Sequence, residues 1–208
     1  MKVFDSTGTP KVTSVAAGKD LDFFRQAGTN PLEDWYGLGM AGSSQALTTG
    51  APAIDVLWAI PFISRRGGTM DQIAVNVTTL AAGGLAKLAI YNNTSDTVMY
   101  PGTLLVATAE FVTSTTGVKA TTINQALTSN TIYWAVYWTG ILAATIRAPG
   151  VVNMGFGPLG FTNALGTAPS WGVQPALTYT TSFPNTFTAG GAIVSAAPIP
   201  AIFGRFSA

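Results

Sequence analysis

The stretch IYWAVYWT, residues 132–139, carries large side chains at alternating positions, as an extended strand requires. One face of that strand would present isoleucine, valine and two tryptophans, and the other would present Tyr133, Ala135 and Tyr137. A strand that is apolar on both faces is covered on both faces, so this stretch predicts a central strand of a sandwich or a strand beneath another chain. We expect one face to lie in the core, and Tyr133 and Tyr137 to lie at a subunit interface.

Short apolar runs separated by turn residues extend from this strand in both directions. They fall at residues 56–62, 70–77, 85–91, 104–111 and 118–127, and a last run closes the chain. Turns rich in glycine, asparagine and threonine separate them at intervals of roughly 8–12 residues, which is typical of sandwiches and jelly rolls. The sequence therefore predicts an all-β fold, an antiparallel β-sandwich of the jelly-roll type with an extended N-terminal arm.

Alternation within these runs predicts which side chains face the core. Ile73, Val75 and Val77 share one face of their strand, and Ala86, Leu88 and Ile90 share one face of the next. Lys87 would then point outward. Gly140 predicts a tight hairpin that leads from the aromatic strand directly into residues 141–148.

Charge divides the chain into two regions. Nine of the 19 charged residues lie within the first 34 positions, and none lies between Arg147 and Arg205. We expect residues 1–54 to form an arm and connector, and residues 55–208 to form the sandwich, with a long irregular excursion at 149–198. A disordered tail is the alternative for the first segment. Its apolar residues favour an ordered arm that docks on a larger body, with the candidate contacts Val3, Phe4, Val12, Phe23 and Phe24.

The composition limits the chemistry. The chain has no cysteine and no histidine, which removes thiolate catalysis, disulfides, the commonest general base and the commonest metal ligand. Charged residues make up only 9% of the chain, well below the ~25% of ordinary soluble domains, so partners are expected to cover part of the surface. The sequence contains no stripe of cations, so nucleic-acid binding is not predicted. The longest apolar run, at 132–146, is shorter than the ~20 residues of a membrane span, and no signal peptide is apparent at the N-terminus.

Catalytic and metal sites are not indicated. The carboxylates Asp55, Asp71, Asp96 and Glu110 are isolated on turns and strand ends, where solvated or turn-forming roles outweigh a glycosidase pair. No phosphate loop, dedicated calcium loop or cofactor motif is present, so we expect no enzyme activity and no cofactor. The aromatic residues at 133–138 could stack sugar rings, but core packing on one face and a subunit contact on the other is the favoured interpretation.

The order of several motifs resembles a jelly-roll module of tailed-bacteriophage virion proteins. The motifs are LWAIPF, MDQIAVNVTT, LAKLAIYN, YPGTLL, TTGVK and IYWAVYW, preceded by DWYGLGMAGSSQALTTG. The resemblance covers roughly residues 33–148. It is to capsid decoration (cement) proteins, head fibres, and some tail-fibre or collar proteins. It implies a virion location and a homotrimer, and it carries over no catalytic residue.

Three functions are therefore considered. The leading one is a decoration or head-spike protein on the capsid exterior, made in the host cytoplasm, with the major capsid protein or other virion proteins and its own copies as partners. The alternative is a tail-fibre or collar protein that binds host-surface glycan. A polysaccharide-degrading spike is the least favoured, because no paired carboxylates stand out. Nucleic acid and membrane are not expected as partners.

Overall fold

Thirteen β-strands, and no helix, make up the part of the chain that this computed structural model describes, namely residues 35–39, 47–64, 67–95, 97–149, 171–194 and 199–207. The strands are β1 (Trp35–Gly37), β2 (Thr48–Gly50), β3 (Val56–Ser64), β4 (Gly68–Thr79), β5 (Leu85–Ser95), β6 (Val98–Ala107), β7 (Phe111–Val112), β8 (Gly117–Leu127), β9 (Thr131–Gly140), β10 (Thr145–Ala148), β11 (Gly172–Gln174), β12 (Ala192–Val194) and β13 (Phe203–Phe206). The predicted all-β class is confirmed for these residues.

Two antiparallel sheets pack face to face as a sandwich. The six-stranded sheet has the order β1-β13-β4-β10-β2, with β8 on the other edge of β4. The seven-stranded sheet has the order β12-β11-β3-β9-β5-β6, and β7 extends the β6 side of β5. Strands β1 and β2 belong to the six-stranded sheet, so that sheet reaches into the region expected to be arm and connector. The candidate arm contacts Val3, Phe4, Val12, Phe23 and Phe24 lie outside the described residues.

The predicted core faces are found between the two sheets. Ile73, Val75 and Val77 of β4 are buried there, opposite Ala86, Leu88 and Ile90 of β5. Alternation predicted these positions because a one-residue shift would move every one of them to the other face.

The hairpin expected at Gly140 is wrong. Strand β10 does not pair with β9 but crosses to the six-stranded sheet, where it pairs with β4 and β2. Glycine is required at position 140 for a different reason: a Cβ here would lie 2.4 Å from the Tyr179 ring. The glycine lets residues of the C-terminal third pack directly on the end of β9.

Those C-terminal residues form a second apolar layer. Residues 175–191, here called the covering segment, lie across the outer face of the seven-stranded sheet and are nearly without regular structure. Phe183 and Phe187 of this segment pack with Tyr91, Trp134 and Trp138 of the sheet. The excursion predicted at 149–198 is therefore, over its described part, a lid of irregular backbone with β11 and β12 at its ends.

Candidate functional site

The two faces of strand β9 are buried by different parts of the chain. Tyr133 and Tyr137 point into the core between the sheets, and Trp134 and Trp138 point outward beneath the covering segment with no solvent exposure. Burial raises the pKa of Tyr137 to about 12. The expected subunit interface at Tyr133 and Tyr137 therefore needs correction, because both side chains are enclosed within one chain.

The tryptophans of β9 also do not form a sugar-stacking platform. Their indole N–H groups donate within the chain, from Trp134 to Asn93 Oδ1 at 2.9 Å and from Trp138 to the carbonyl of Leu177 at 3.2 Å. Of the five tryptophans, Trp35 alone is exposed, at 39%. Alternation in the sequence predicted that both faces of β9 are covered. It could not predict that residues 175–191 of the same chain cover the tryptophan face.

Lys87 occupies an aromatic cage beneath the covering segment. It points away from the core as predicted, yet it is only 2% exposed. Its Nζ lies 4.5 Å from the ring centre of Tyr179 and 4.7 Å from that of Trp138, and it donates to the carbonyl oxygen of Thr180. Burial lowers the pKa of Lys87, and Glu110 acts in the opposite direction. The amine therefore fastens the segment to the sheet and faces no open cleft.

Tyr179 connects this cage to two carboxylates. Its backbone N–H donates to Asp55 Oδ1 at 2.7 Å, and its hydroxyl donates to Glu110 Oε2 at 2.8 Å. Burial raises the pKa of Tyr179, and the hydrogen bond to Glu110 adds to that effect. The third carboxylate, Asp71, forms a bidentate ion pair with Arg205, with a shortest distance of 2.7 Å. The three carboxylates in the part of the chain that the structure describes thus all have partners within the fold.

A polar groove opens at the side of the sandwich where β8 approaches β5, β6 and β9. Its volume is about 430 Å³. Polar and apolar surface contribute about equally to its wall, which is formed by Asn92, Asn93, Ser95, Leu105, Gln125, Ala126, Asn130, Thr131, Ile132 and Tyr133.

Not all of the groove's polar atoms are available to a ligand. Asn93 is saturated, because its amide donates to two carbonyls and its oxygen accepts from Tyr100 N and Trp134 Nε1. Asn92 Nδ2, Gln125 Oε1 and the side chain of Asn130 have no hydrogen-bond partner among the described residues. Neutral donors and acceptors of this kind can bind hydroxyl groups, but they supply no acid, base or nucleophile of perturbed pKa.

Comparisons with other proteins add no family. Neither the protein-family models nor the curated proteins that were compared match this chain. Within the described ranges, no helix is long and apolar enough to cross a membrane, and no three His, Cys, Asp or Glu side chains come together as metal ligands. The functional argument therefore depends on the surfaces of the molecule itself.

Proposed function

We propose that this chain is a structural component of a tailed-phage virion, a capsid decoration or head-spike protein that binds and stabilises the capsid. The observation that carries the proposal is the scarcity of charge, 19 residues in 208, on a sandwich that exposes several large aliphatic side chains. Surface of this kind is stable when neighbouring subunits remove it from water. The resemblance of residues 33–148 to jelly-roll virion modules points to the same role, on the capsid exterior after synthesis in the host cytoplasm.

The jelly-roll topology is part of this proposal. The chain passes from one sheet to the other between β2 and β3, β3 and β4, β4 and β5, β7 and β8, β8 and β9, and β9 and β10. The consecutive strands β10 and β11, and β12 and β13, also lie in different sheets. Repeated crossing between two antiparallel sheets is how paired Greek keys build a jelly roll. The order in the sheets supports this class of fold without distinguishing it from other two-sheet sandwiches.

The attachment to the capsid is assigned to the N-terminal arm. Residues 1–34 combine nine charged residues with the apolar positions Val3, Phe4, Val12, Phe23 and Phe24. A segment of this composition can bind a large surface by adding apolar contacts to ionic ones. The major capsid protein is the proposed partner, and a homotrimer is the proposed form of the bound protein.

The test is cosedimentation with capsids that lack the protein. We expect the full chain to bind saturably, and a variant with both Phe23→Asp and Phe24→Asp to bind at least about tenfold more weakly, a loss of 1.4 kcal/mol or more. Deletion of residues 1–34 should leave a folded sandwich that no longer binds. Undiminished binding by the folded deletion variant would contradict the arm assignment, and no saturable binding by the full chain would contradict decoration.

The polar groove favours a second candidate, a fibre or collar protein that binds host-surface glycan. Sugars are recognised by neutral hydrogen-bonding groups in shallow depressions, and Asn92, Gln125 and Asn130 offer such groups to the groove. The groove has no exposed aromatic ring on which a sugar could stack, since Tyr133 is only 7% exposed. We therefore rank this candidate second.

The glycan candidate has its own test. Labelled protein is applied to host cells and to their purified surface polysaccharide, with Asn130→Ala and Gln125→Ala as groove variants. Asn124→Ala is the matched control, because Asn124 is the exposed neighbour of Gln125 on β8 and does not line the groove. Binding that only the groove variants reduce would support this candidate, and equal binding by all variants would reject it.

A further inference from the structure

The exposed aliphatic side chains of this protein are concentrated at one end of the sandwich. Eleven large hydrophobic residues are exposed in the described ranges, and six of them lie on the turns and strand ends at this end: Ile54, Leu80, Val112, Val118, Ile141 and Leu142. The pairs Val56↔Thr139, Leu85↔Gly140, Thr79↔Thr145 and Val77↔Gly117 place the adjoining strand ends together. This set of six residues is here called the apolar end.

Backbone packing holds the centre of the apolar end together. Ala81 N donates to the carbonyl of Thr113, and Thr113 N donates to the carbonyl of Gly84, both close to 3 Å. A Cβ on Gly84 would lie 2.9 Å from the carbonyl oxygen of Leu142. The segments that carry Leu80, Val112 and Leu142 therefore meet at one glycine, which places these three residues at the same end of the sandwich.

Ile141 is held at this surface at an energetic cost. Leu142 N donates to the carbonyl of Gly140 at 2.7 Å, which closes a three-residue turn around Ile141 with φ at +66°. A γ-turn with positive φ is strained, and more so at a β-branched residue. The turn nevertheless leaves this side chain 63% exposed. Strain that presents an aliphatic side chain to water indicates a contact that the isolated chain does not make.

Composition and area identify the occupant. All six residues of the apolar end are uncharged, so two such ends would bring aliphatic side chains into contact with each other. Their exposed aliphatic side chains offer on the order of 500 Å² per copy, which is most of the ~800 Å² that each partner contributes to a stable interface.

We infer that the apolar end is the surface through which copies of this chain associate. The inference deepens the proposed structural role and rests on it. This interface replaces the one expected at Tyr133 and Tyr137. It lies at one end of the sandwich, and the chain enters β1 nearer the other end.

The test is sedimentation equilibrium of the pure full chain over a dilution series, with no virion present. We expect the wild type to exceed the single-chain mass of 21.5 kDa. Leu142→Glu should lower the association constant by at least about tenfold, because a charge would then be buried without a partner. Val98→Glu is the matched control, since Val98 is exposed to the same degree, 50% against 49%, at the other end. It should associate as the wild type does.

A second variant guards against misfolding. Ile141→Gly suits the positive φ, so the chain should be at least as stable to urea as the wild type while its association weakens. A wild type of single-chain mass at every concentration would overturn the inference, as would equal association by Leu142→Glu and Val98→Glu. Flotation of monomeric protein with phosphatidylcholine vesicles, lost in Leu142→Glu, would overturn it in favour of a membrane. Failure here leaves capsid binding by the arm standing, because that binding is measured separately.

Discussion

At the scale of single residues, Tyr179 and Lys87 decide how the covering segment is held. Tyr179 contacts Lys87 with its ring, Asp55 with its backbone N–H and Glu110 with its hydroxyl, so one residue joins three parts of the chain. Lys87 provides the buried charge at the centre of the cage. The pKa of Lys87 is lowered and that of Tyr179 is raised. These two shifts change the free energy of unfolding in opposite directions as the pH rises into the alkaline range.

Lys87 and the buried tyrosines change the stability of the protein with pH in opposite directions. The pKa of buried Lys87 lies below its ordinary 10.5, so the folded state binds fewer protons there, and its contribution makes stability rise as the pH rises toward 10.5. Tyr91, Tyr137 and Tyr179 have pKa values raised above 10, so the stability they contribute is complete below pH 10 and is lost above it. We expect the free energy of unfolding to rise with pH as Lys87 loses its proton in the folded state, to reach a maximum near pH 10 and to fall beyond it.

Urea unfolding across this pH range measures the effect. Lys87→Met fills a similar volume without the amine and should remove the rising part of the profile. Tyr179→Phe should reduce the fall beyond pH 10 and cost about 0.5–1.5 kcal/mol at neutral pH through the lost hydroxyl bond. A profile that Lys87→Met leaves unchanged would show that the buried amine titrates as it does in the unfolded chain.

At the scale of elements, the covering segment completes the seven-stranded sheet. It has few backbone bonds to the sheet, among them Leu57 N to the carbonyl of Pro175 and Phe187 N to the carbonyl of Gly102. Its attachment therefore depends on side chains. Phe183 lies 5.3 Å from the Trp138 ring centre and 6.4 Å from that of Tyr91, in the middle of the layer.

Removal of that ring is expected to loosen the segment. Phe183→Ala should lower the free energy of unfolding by about 3–5 kcal/mol, the usual cost of a large buried aromatic side chain. Tryptophan fluorescence should shift to longer wavelength as Trp138 becomes hydrated. Ile193→Ala on β12 is the control, because Ile193 is half exposed and its loss should cost less than about 1 kcal/mol. A small effect at Phe183 would mean that the segment is not an integral layer of the fold.

Sequence reasoning succeeded where a physical period governs the element. Alternation placed Ile73, Val75 and Val77 in the core, and it predicted that β9 is covered on both faces. It failed where the partner lies far away along the chain. Gly140 reads as a hairpin turn from its neighbours alone, and the contact with Tyr179 that requires it spans 39 positions.

At the scale of the whole molecule, the two ends of the sandwich differ. One end is the apolar end, and the chain enters β1 near the other, where Trp35 pairs with Arg205. The apolar end was not visible in the sequence, because Ile54, Val112 and Ile141 look like ordinary strand residues until the topology brings their turns together. The groove was equally hidden, since its wall combines residues of β5, β8 and β9. Tertiary pairing, which local patterns do not encode, creates both surfaces.

The two indole N–H groups of β9 have a consequence for how the chain finds its fold. The two faces of this strand have similar hydrophobicity, so burial of apolar surface alone does not determine which face packs against the core. In the described structure the indoles find their acceptors on the side of Asn93 and Leu177. An inverted strand would leave two donors stranded in an apolar layer, at about 1–3 kcal/mol each. Two nitrogen atoms thus select the orientation, and phenylalanine at both positions would leave the strand ambiguous.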